Sequence, residues 1–200
     1  MRRTKEEAEQ TRHDLLAAAL AVFSRKGFEA TTLNEIATQA EVTRGAIYHH
    51  FGSKEDLYLA LMDDASAQGN KAIQQAIETG GTFLQIVNRI IVNTLSLLED
   101  DVRFRQTMAL SLTHDIIPEM RQRRYQDAEQ LIAGISEAFK MGITQGELYP
   151  DLNPATAARA LIGYQNGLAL LWLSNRDAFS IKAHAADLSK IFLHGIARPA

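Results

Sequence analysis

Apolar side chains recur every three or four residues along almost the whole chain, which is the spacing of a helix face buried against a core. No segment shows the alternation of apolar and polar residues that predicts a β-strand. The pattern therefore predicts an all-α protein of about nine helices, with the clearest interior break at Gly80-Gly81.

The first three predicted helices are unequal in length. A long one spans about Glu7 to Lys26 and ends in two cations and a glycine, a common helix terminus. Thr32 and Glu35 have the spacing of a capping box, which opens a short helix to about Ala40. Another short helix, Arg44 to His50, follows, and Thr43 occupies its N-cap position.

Two helices this short are marginal in water and need packing partners. Five apolar residues at suitable positions supply them: Ile36, Ala37, Val42, Ile47 and Phe51. This arrangement favours a helix-turn-helix, which presents its second helix to the major groove of DNA. The outward face of that helix then carries Arg44, Gly45, Tyr48 and His49, with the small Ala46 beside them.

The later helices start at recognisable caps. Ser53 begins the helix that follows Phe51-Gly52, and Thr82 begins one with a broad apolar face. A shorter helix runs to about Leu112, and Pro118 starts a long one that fades at Gly142 and Gly146. Asn153-Pro154 and Ser180 open the last two predicted helices.

Several linked motifs resemble the DNA-binding domain of the tetracycline-repressor family of bacterial regulators. They are Thr31-Thr32-Leu-Asn-Glu-Ile-Ala, the run from Ala40 to Phe51, and Ser53-Lys-Glu-Asp-Leu57. The match covers about Leu15 to Leu61, while Gly146-Glu-Leu and Gly163-Tyr-Gln-Asn-Gly-Leu resemble the multidrug-efflux branch more weakly. Glu41 departs from the family, which often has glycine at this turn, so some backbone strain is expected there.

The resemblance implies a DNA-binding domain over residues 1–62 and a ligand-binding and dimerisation domain over residues 63–200, with the fourth helix linking them. It also implies that the matching lysine, Lys54, contacts the DNA backbone; taken alone, Lys54 would more simply be an exposed cation. The expected DNA-binding residues are Thr32, Thr43, Arg44, Gly45, Ala46, Tyr48, His49 and Lys54.

The helix from Pro154 to Asn175 is apolar nearly all round, so both of its sides must be covered. It either is a core helix within one chain or, as the resemblance implies, packs together with the last helix in a four-helix interface between two subunits. In the second case the expected interface residues are Leu161, Gln165, Leu168, Trp172 and Phe192. A dimer would present two recognition helices to successive major grooves, roughly 34 Å apart.

The resemblance also places a small-molecule pocket among the middle helices. A mostly apolar cavity with a few polar groups is the usual form of such a site. The candidate lining residues are Asn88, Gln106, Leu110, His114, Asn166 and Leu170, although the polar ones could equally be solvated or bonded to backbone. Hydrophobic or aromatic effectors fit this lining best.

Composition excludes several other classes. The chain has no cysteine, which rules out disulfides, thiolate metal sites and a cysteine nucleophile. The formal charge is −3, and residues 1–60 hold eight cations against nine acids, so charge alone does not indicate DNA binding. The histidines are scattered, and His49-His50 cannot point the same way, so no metal site or cofactor is expected.

No signal peptide is recognisable, and the longest uncharged apolar stretch, between Arg159 and Arg176, is shorter than the roughly 20 residues of a membrane span. A cytoplasmic, ligand-responsive regulator without enzymatic activity is the predicted function, with operator DNA, an effector and a second copy as partners. The alternative is an all-α hydrophobic-ligand carrier or enzyme that has no DNA role.

Overall fold

The computed structural model describes residues 5–113 and 118–198, without side-chain placement at positions 65, 66, 68, 69, 72, 118–120 and 124. Within those ranges the chain forms nine α-helices and no strand, which confirms the all-α prediction. The helices are α1 (Lys5–Lys26), α2 (Leu33–Gln39), α3 (Arg44–His50), α4 (Lys54–Glu78), α5 (Phe83–Asp100), α6 (Val102–Thr113), α7 (Pro118–Thr144), α8 (Pro154–Ser174) and α9 (Ile181–His194).

Side-chain caps fix where many of these helices begin. Thr32 and Glu35 form the predicted capping box of α2, and Thr82 forms another with Gln85 at the start of α5. The side chains that accept a first-turn amide of α4, α8 and α9 are those of Ser53, Asn153 and Ser180. Thr43 occupies the N-cap position of α3, but its side chain makes no capping hydrogen bond.

The chain divides into two compact units, and the first contains Met1–Gly69 together with Val102–His114. Its core is the apolar face of α1, with Leu15, Ala19 and Phe23 fully buried. The Phe23 ring stacks on Phe28 at 5.6 Å and meets the edge of Tyr58 at 5.4 Å. Helices α2 and α6 both pack against α1, so α1 is the element that holds this unit together.

The second unit contains Asn70–Asp101 and Asp115–Ala200, and the α5–α9 pair is its most extensive helix contact. Glu99, near the end of α5, accepts hydrogen bonds from the Ser180 hydroxyl and the Lys182 amide at the start of α9. These two helices therefore run antiparallel. Glu147 likewise accepts from the amides of Phe83 and Leu84, at 2.8 and 3.0 Å, and so satisfies free donors at the start of α5.

The compact units do not coincide with the two expected segments, residues 1–62 and 63–200. Helix α4, the expected link between them, continues unbroken through residue 62, and α6, which lies in the second expected segment, packs on α1 in the first unit. Sequence order could not show this because α6 returns to α1 after an excursion of 32 residues, from Asn70 to Asp101.

Candidate DNA-binding surface and effector-binding residues

The turn between α2 and α3 is closed by backbone hydrogen bonds. The Ala40 amide donates to Ile36, and the Val42 amide donates to Ala37 at 3.0 Å. Ala37 is buried where α2 approaches α3, as the helix-turn-helix prediction requires. Glu41 has a φ of 55°, a left-handed conformation that β-carbon-bearing residues adopt at a cost. The strain expected at this turn is therefore present.

Helix α3 has one buried residue and an exposed outer face. Ile47 is 0% exposed and attaches the helix to the core, whereas Tyr48 on the outer face is 46% exposed. Thr43, Arg44, Gly45 and His49 are also exposed, and Ala46 is partly so. The described part of the chain thus leaves the predicted reading face of α3 uncovered.

Arg44 and Tyr48 form a pair on that face. An Arg44 Nη2 atom donates to the Tyr48 hydroxyl at 2.7 Å, and the guanidinium lies over the tyrosine ring, 5.3 Å from its centroid. This contact limits the rotamers of both side chains and keeps them along α3. Arginine can donate to guanine edges or phosphate, and a tyrosine hydroxyl to phosphate, so the pair offers adjacent donors to one strand.

Gly45 leaves the leading turn of α3 open. A β-carbon built there would meet nothing nearer than the Thr43 hydroxyl at 3.7 Å. The protein's own packing therefore does not require glycine at this position. Because Gly45 has no side chain, another surface can approach the backbone closely here, which is consistent with the prediction that Gly45 contacts DNA.

The start of α2 carries a second polar cluster. Glu35 accepts from the Thr32 amide and hydroxyl, and the Lys26 ammonium forms an ion pair with it. These contacts, first the Lys26 hydrogen bond and then those from Thr32, lower the pKa of Glu35 from 4.5 to about 2. Thr32 is exposed, so its hydroxyl and the first-turn amides of α2 remain near the surface.

Lys54 is not the free surface cation that its sequence position alone suggests. Its ammonium donates to the backbone carbonyls of Phe28 and Thr31 at 3.0 and 3.1 Å. It also lies 4.2 Å from the centroid of the Phe28 ring. The lysine therefore ties the start of α4 to the loop before α2, and a phosphate contact would add to this role or compete with it.

The predicted effector-binding residues are divided between the two units. Gln106 and Leu110 lie on α6 in the first unit, where Leu110 is fully buried. Asn88 and Asn166 are half-buried in the second unit, and Asn88 accepts from the Ser189 hydroxyl at 2.7 Å. His114 lies outside the described residues. Leu170 is 47% exposed on α8, on the side that faces away from the core.

An open groove of about 530 Å³ lies between α5 and α9 and includes only one of those candidates, Asn88. Its other lining residues are Leu84, Gln85, Arg89 and Leu193. The Arg89 Nη2 atom donates to the carbonyls of Ala76 and Gly80 around the end of α4, while its buried Nε has no partner among the described residues. Arg89 was not among the residues predicted from the sequence. The feature that could have identified it is a lone cation on an apolar helix face.

The predicted interface residues differ in their exposure. Leu161 and Trp172 are 6% and 3% exposed, and the Trp172 indole donates to the Phe179 carbonyl at 3.1 Å. Both are buried within the chain, so neither offers much surface to a partner. Gln165, Leu168 and Phe192 are partly exposed, and the Phe192 ring lies 5.4 Å from that of Tyr164. The large hydrophobic residues that are exposed on α8 and α9 are Leu170, Leu171 and Ile191.

Neither a metal centre nor a membrane segment stands out in the described residues. No cluster of three or more histidine, aspartate or glutamate side chains there has the geometry of a metal site. None of the described helices is long and apolar enough to span a bilayer.

Comparisons with known proteins agree with this geometry. Residues 15–61 match the family model for bacterial regulatory proteins of the tetR family. The chain is 32% identical over 190 residues to the HTH-type transcriptional regulator TtgR of Pseudomonas putida, covering 90% of this chain and 89% of that protein. The HTH-type transcriptional regulator AcrR of Shigella flexneri is 32% identical over 197 residues, covering 96% and 92%.

Among solved structures, the chain is similar to NalD, the secondary repressor of the MexAB-OprM multidrug efflux pump in Pseudomonas aeruginosa. The TM-score is 0.81 at 26% identity, and the superposition covers 98% of this chain and 100% of that one. The similarity extends over both compact units, well beyond the helix-turn-helix.

Proposed function

Because the chain belongs to the tetR family of bacterial regulatory proteins, we propose that it is a transcriptional repressor that binds operator DNA as a homodimer in the cytoplasm. A small hydrophobic or aromatic effector releases it. Binding of the effector shifts the population towards a conformation with lower operator affinity. The relatives' names support this proposal, since TtgR and AcrR are called transcriptional regulators and NalD a repressor of an efflux pump.

The exposed face of α3 is the observation that carries the proposal. Ile47 holds the helix to its core, while Arg44 and Tyr48 stand outside as paired donors. Gly45 beside them leaves room for the DNA backbone. Thr32 and the start of α2 would supply a further phosphate contact. An α-helical carrier or enzyme without a DNA role would have no use for this arrangement.

The outer surfaces of α8 and α9 support the homodimer. Leu170, Leu171 and Ile191 are 47%, 60% and 66% exposed, so these two helices present large aliphatic side chains that a partner would cover. Gly163 and Gly167 are also exposed on α8, and a β-carbon at either would meet nothing within 4 Å. A second copy could therefore approach α8 closely and cover the apolar side chains, with Gln165, Leu168 and Phe192 at the edges.

The effector site is supported less directly. Asn88 combines a polar group with the apolar Leu84 and Leu193 in the α5–α9 groove. Gln106, Leu110 and Asn166 remain candidates by the family resemblance. Ligand-induced thermal stabilisation, compared between the wild type and Asn88→Ala, would test the groove against those other positions.

Operator binding tests the proposed function. The probe is fluorescently labelled DNA from upstream of the gene that encodes this chain, titrated with protein at low salt. We expect Tyr48→Ala to weaken binding by about tenfold or more, since a phosphate donor and the Arg44 contact are both lost. Tyr125→Ala is the matched control, because Tyr125 is an exposed tyrosine on α7, and it should bind as the wild type does.

Two outcomes would contradict the proposal. One is a wild-type chain that shows no preference for the upstream fragment over unrelated DNA of equal length. The other is equal loss of binding in Tyr48→Ala and Tyr125→Ala. Ligand uptake or turnover without any effect on DNA would favour the carrier or enzyme alternative.

A further inference from the structure

The covalent chain passes between the two compact units at three places, after residues 69, 101 and 114. Helix α4 contains the first of these passages, and α6 begins directly after the second. Helix α4 also starts only four residues after α3 ends, so a short connection links it to the helix proposed to face DNA. Helices α4 and α6 therefore both lie where the chain passes from one unit to the other. A contact between them inside the first unit joins these two passages.

Arg103 makes such a contact. It lies in the first turn of α6, and its Nη2 atom donates to Asp64 Oδ2 of α4 at 2.5 Å. Its Nη1 atom lies 3.1 Å from Nε2 of His13 on α1, which can accept this hydrogen bond when neutral. The side chains of Arg103 and Asp64 are 28% and 34% exposed, so solvent screens their ion pair only in part.

The guanidinium suits this position because its planar fork holds two acceptors at a fixed mutual angle. Lysine, with a single ammonium on a flexible stem, could not reproduce both contacts in the same orientation. The rest of α6 is held on α1 by packing, with Phe104, Thr107 and Leu110 buried. Arg103 therefore joins the packed α1–α6 pair to α4.

We propose that Arg103 is a positioning residue that fixes α4, and with it α3, in the orientation that binds DNA. This role rests on the proposed function. With the Arg103–Asp64 contact broken, α4 samples more orientations, and part of the binding free energy is spent in ordering it on the operator. Arg103 itself touches no DNA in this account.

Operator affinities of Arg103→Gln, Asp64→Asn and the double variant test the proposal. Each single change should weaken binding about fivefold, and the double variant should bind no worse than either single one, because both remove the same ion pair. The direction of each change in affinity distinguishes this role from a general effect of charge. Arg103→Gln removes a positive charge and Asp64→Asn removes a negative one. If the charges acted on DNA only through the electrostatic field, the two variants would change operator affinity in opposite directions.

Arg159→Gln is the matched control. It removes the same charge and breaks an ion pair between helices, Arg159–Glu129, which joins α7 to α8 and involves neither α4 nor α6. Its operator affinity should stay within twofold of the wild type. If Arg103→Gln does not fold at the assay temperature, Arg103→Lys replaces it and should show a smaller loss in the same direction.

The proposal is overturned if Asp64→Asn binds the operator as tightly as the wild type or more tightly, or if the double variant loses about 25-fold. If the wild type itself binds no specific DNA, the proposed function fails. Amide hydrogen exchange then tests, without DNA, whether Arg103 holds α4 in place. Amides of residues 58–64 should then exchange about tenfold faster in Arg103→Gln and Asp64→Asn but not in Arg159→Gln. Equal exchange in all four proteins would refute the positioning role.

Discussion

At the scale of single residues, Glu35 shows how a local motif acquires a tertiary partner. The capping box that it forms with Thr32 could be predicted from sequence spacing, because both residues lie in one turn. Its ion pair with Lys26 could not, because Lys26 ends a different helix and approaches only after α1 and α2 have packed. The same applies to Lys54, whose carbonyl partners lie more than 20 residues earlier.

The first prediction concerns the pH dependence that Glu35 contributes. Its pKa is about 2 in the folded protein against 4.5 ordinarily, so its stabilising effect is complete above pH 4.5 and is lost as the pH falls towards 2. Glu35→Gln keeps a capping-box residue but removes the charge. The variant should unfold at a lower temperature than the wild type at pH 6, and the gap should narrow progressively below pH 4.5 in calorimetry.

Glu137→Gln serves as the control, because its ion pair with Lys140 lies on one exposed helix and should contribute little. A gap between wild type and Glu35→Gln that stays constant from pH 6 to pH 3 would contradict the assignment.

At the scale of elements, the sequence predicted where helices begin more accurately than it predicted which helices pack together. Caps at Thr32, Ser53, Thr82, Asn153 and Ser180 could be identified because a cap is a local arrangement of side chain and backbone. The association of α6 with α1 depends on packing between distant segments, so periodicity could not show which compact unit contains α6. Thr43 shows the limit of capping rules, since it holds the N-cap position without the hydrogen bond.

The second prediction tests the α2–α3 turn. Glu41→Gly should raise the free energy of unfolding by about 0.5–1 kcal/mol, because glycine adopts the positive φ of this position without the β-carbon penalty. Glu41→Ala is the control for loss of the carboxylate and should not stabilise the protein, since alanine retains the β-carbon. Chemical denaturation measures both, and a destabilised Glu41→Gly would show that the turn carries no strain.

At the scale of the whole molecule, the sequence could indicate that α8 must be covered on both sides but not which residues face each side. When a helix is apolar nearly all round, its sequence does not indicate which face is buried in the core. The structure supplies that direction by burying Leu161 and Trp172 and exposing Leu171. The effector site is the least predictable part, because pocket residues come from several helices and only Asn88 of the candidates lines the α5–α9 groove.

The third prediction concerns the dimer. Leu171→Glu and Ile191→Glu each place a charge in the proposed interface, where it would be desolvated, and each should convert a dimer to a monomer at micromolar concentration. Light scattering after size exclusion measures the mass. Tyr125→Glu, at an equally exposed position on α7, should remain dimeric. A wild type that is already monomeric would exclude the proposed homodimer.

The most direct test of the central claim, that α3 is presented twice to one face of a DNA duplex, is a hydroxyl-radical footprint on the upstream fragment. The account predicts two protected half-sites related by a two-fold axis, with centres one helical turn of roughly 34 Å or a multiple of it apart. Arg44→Ala should abolish protection at both half-sites together. Protection of a single site, or a footprint unchanged by Arg44→Ala, would contradict the account.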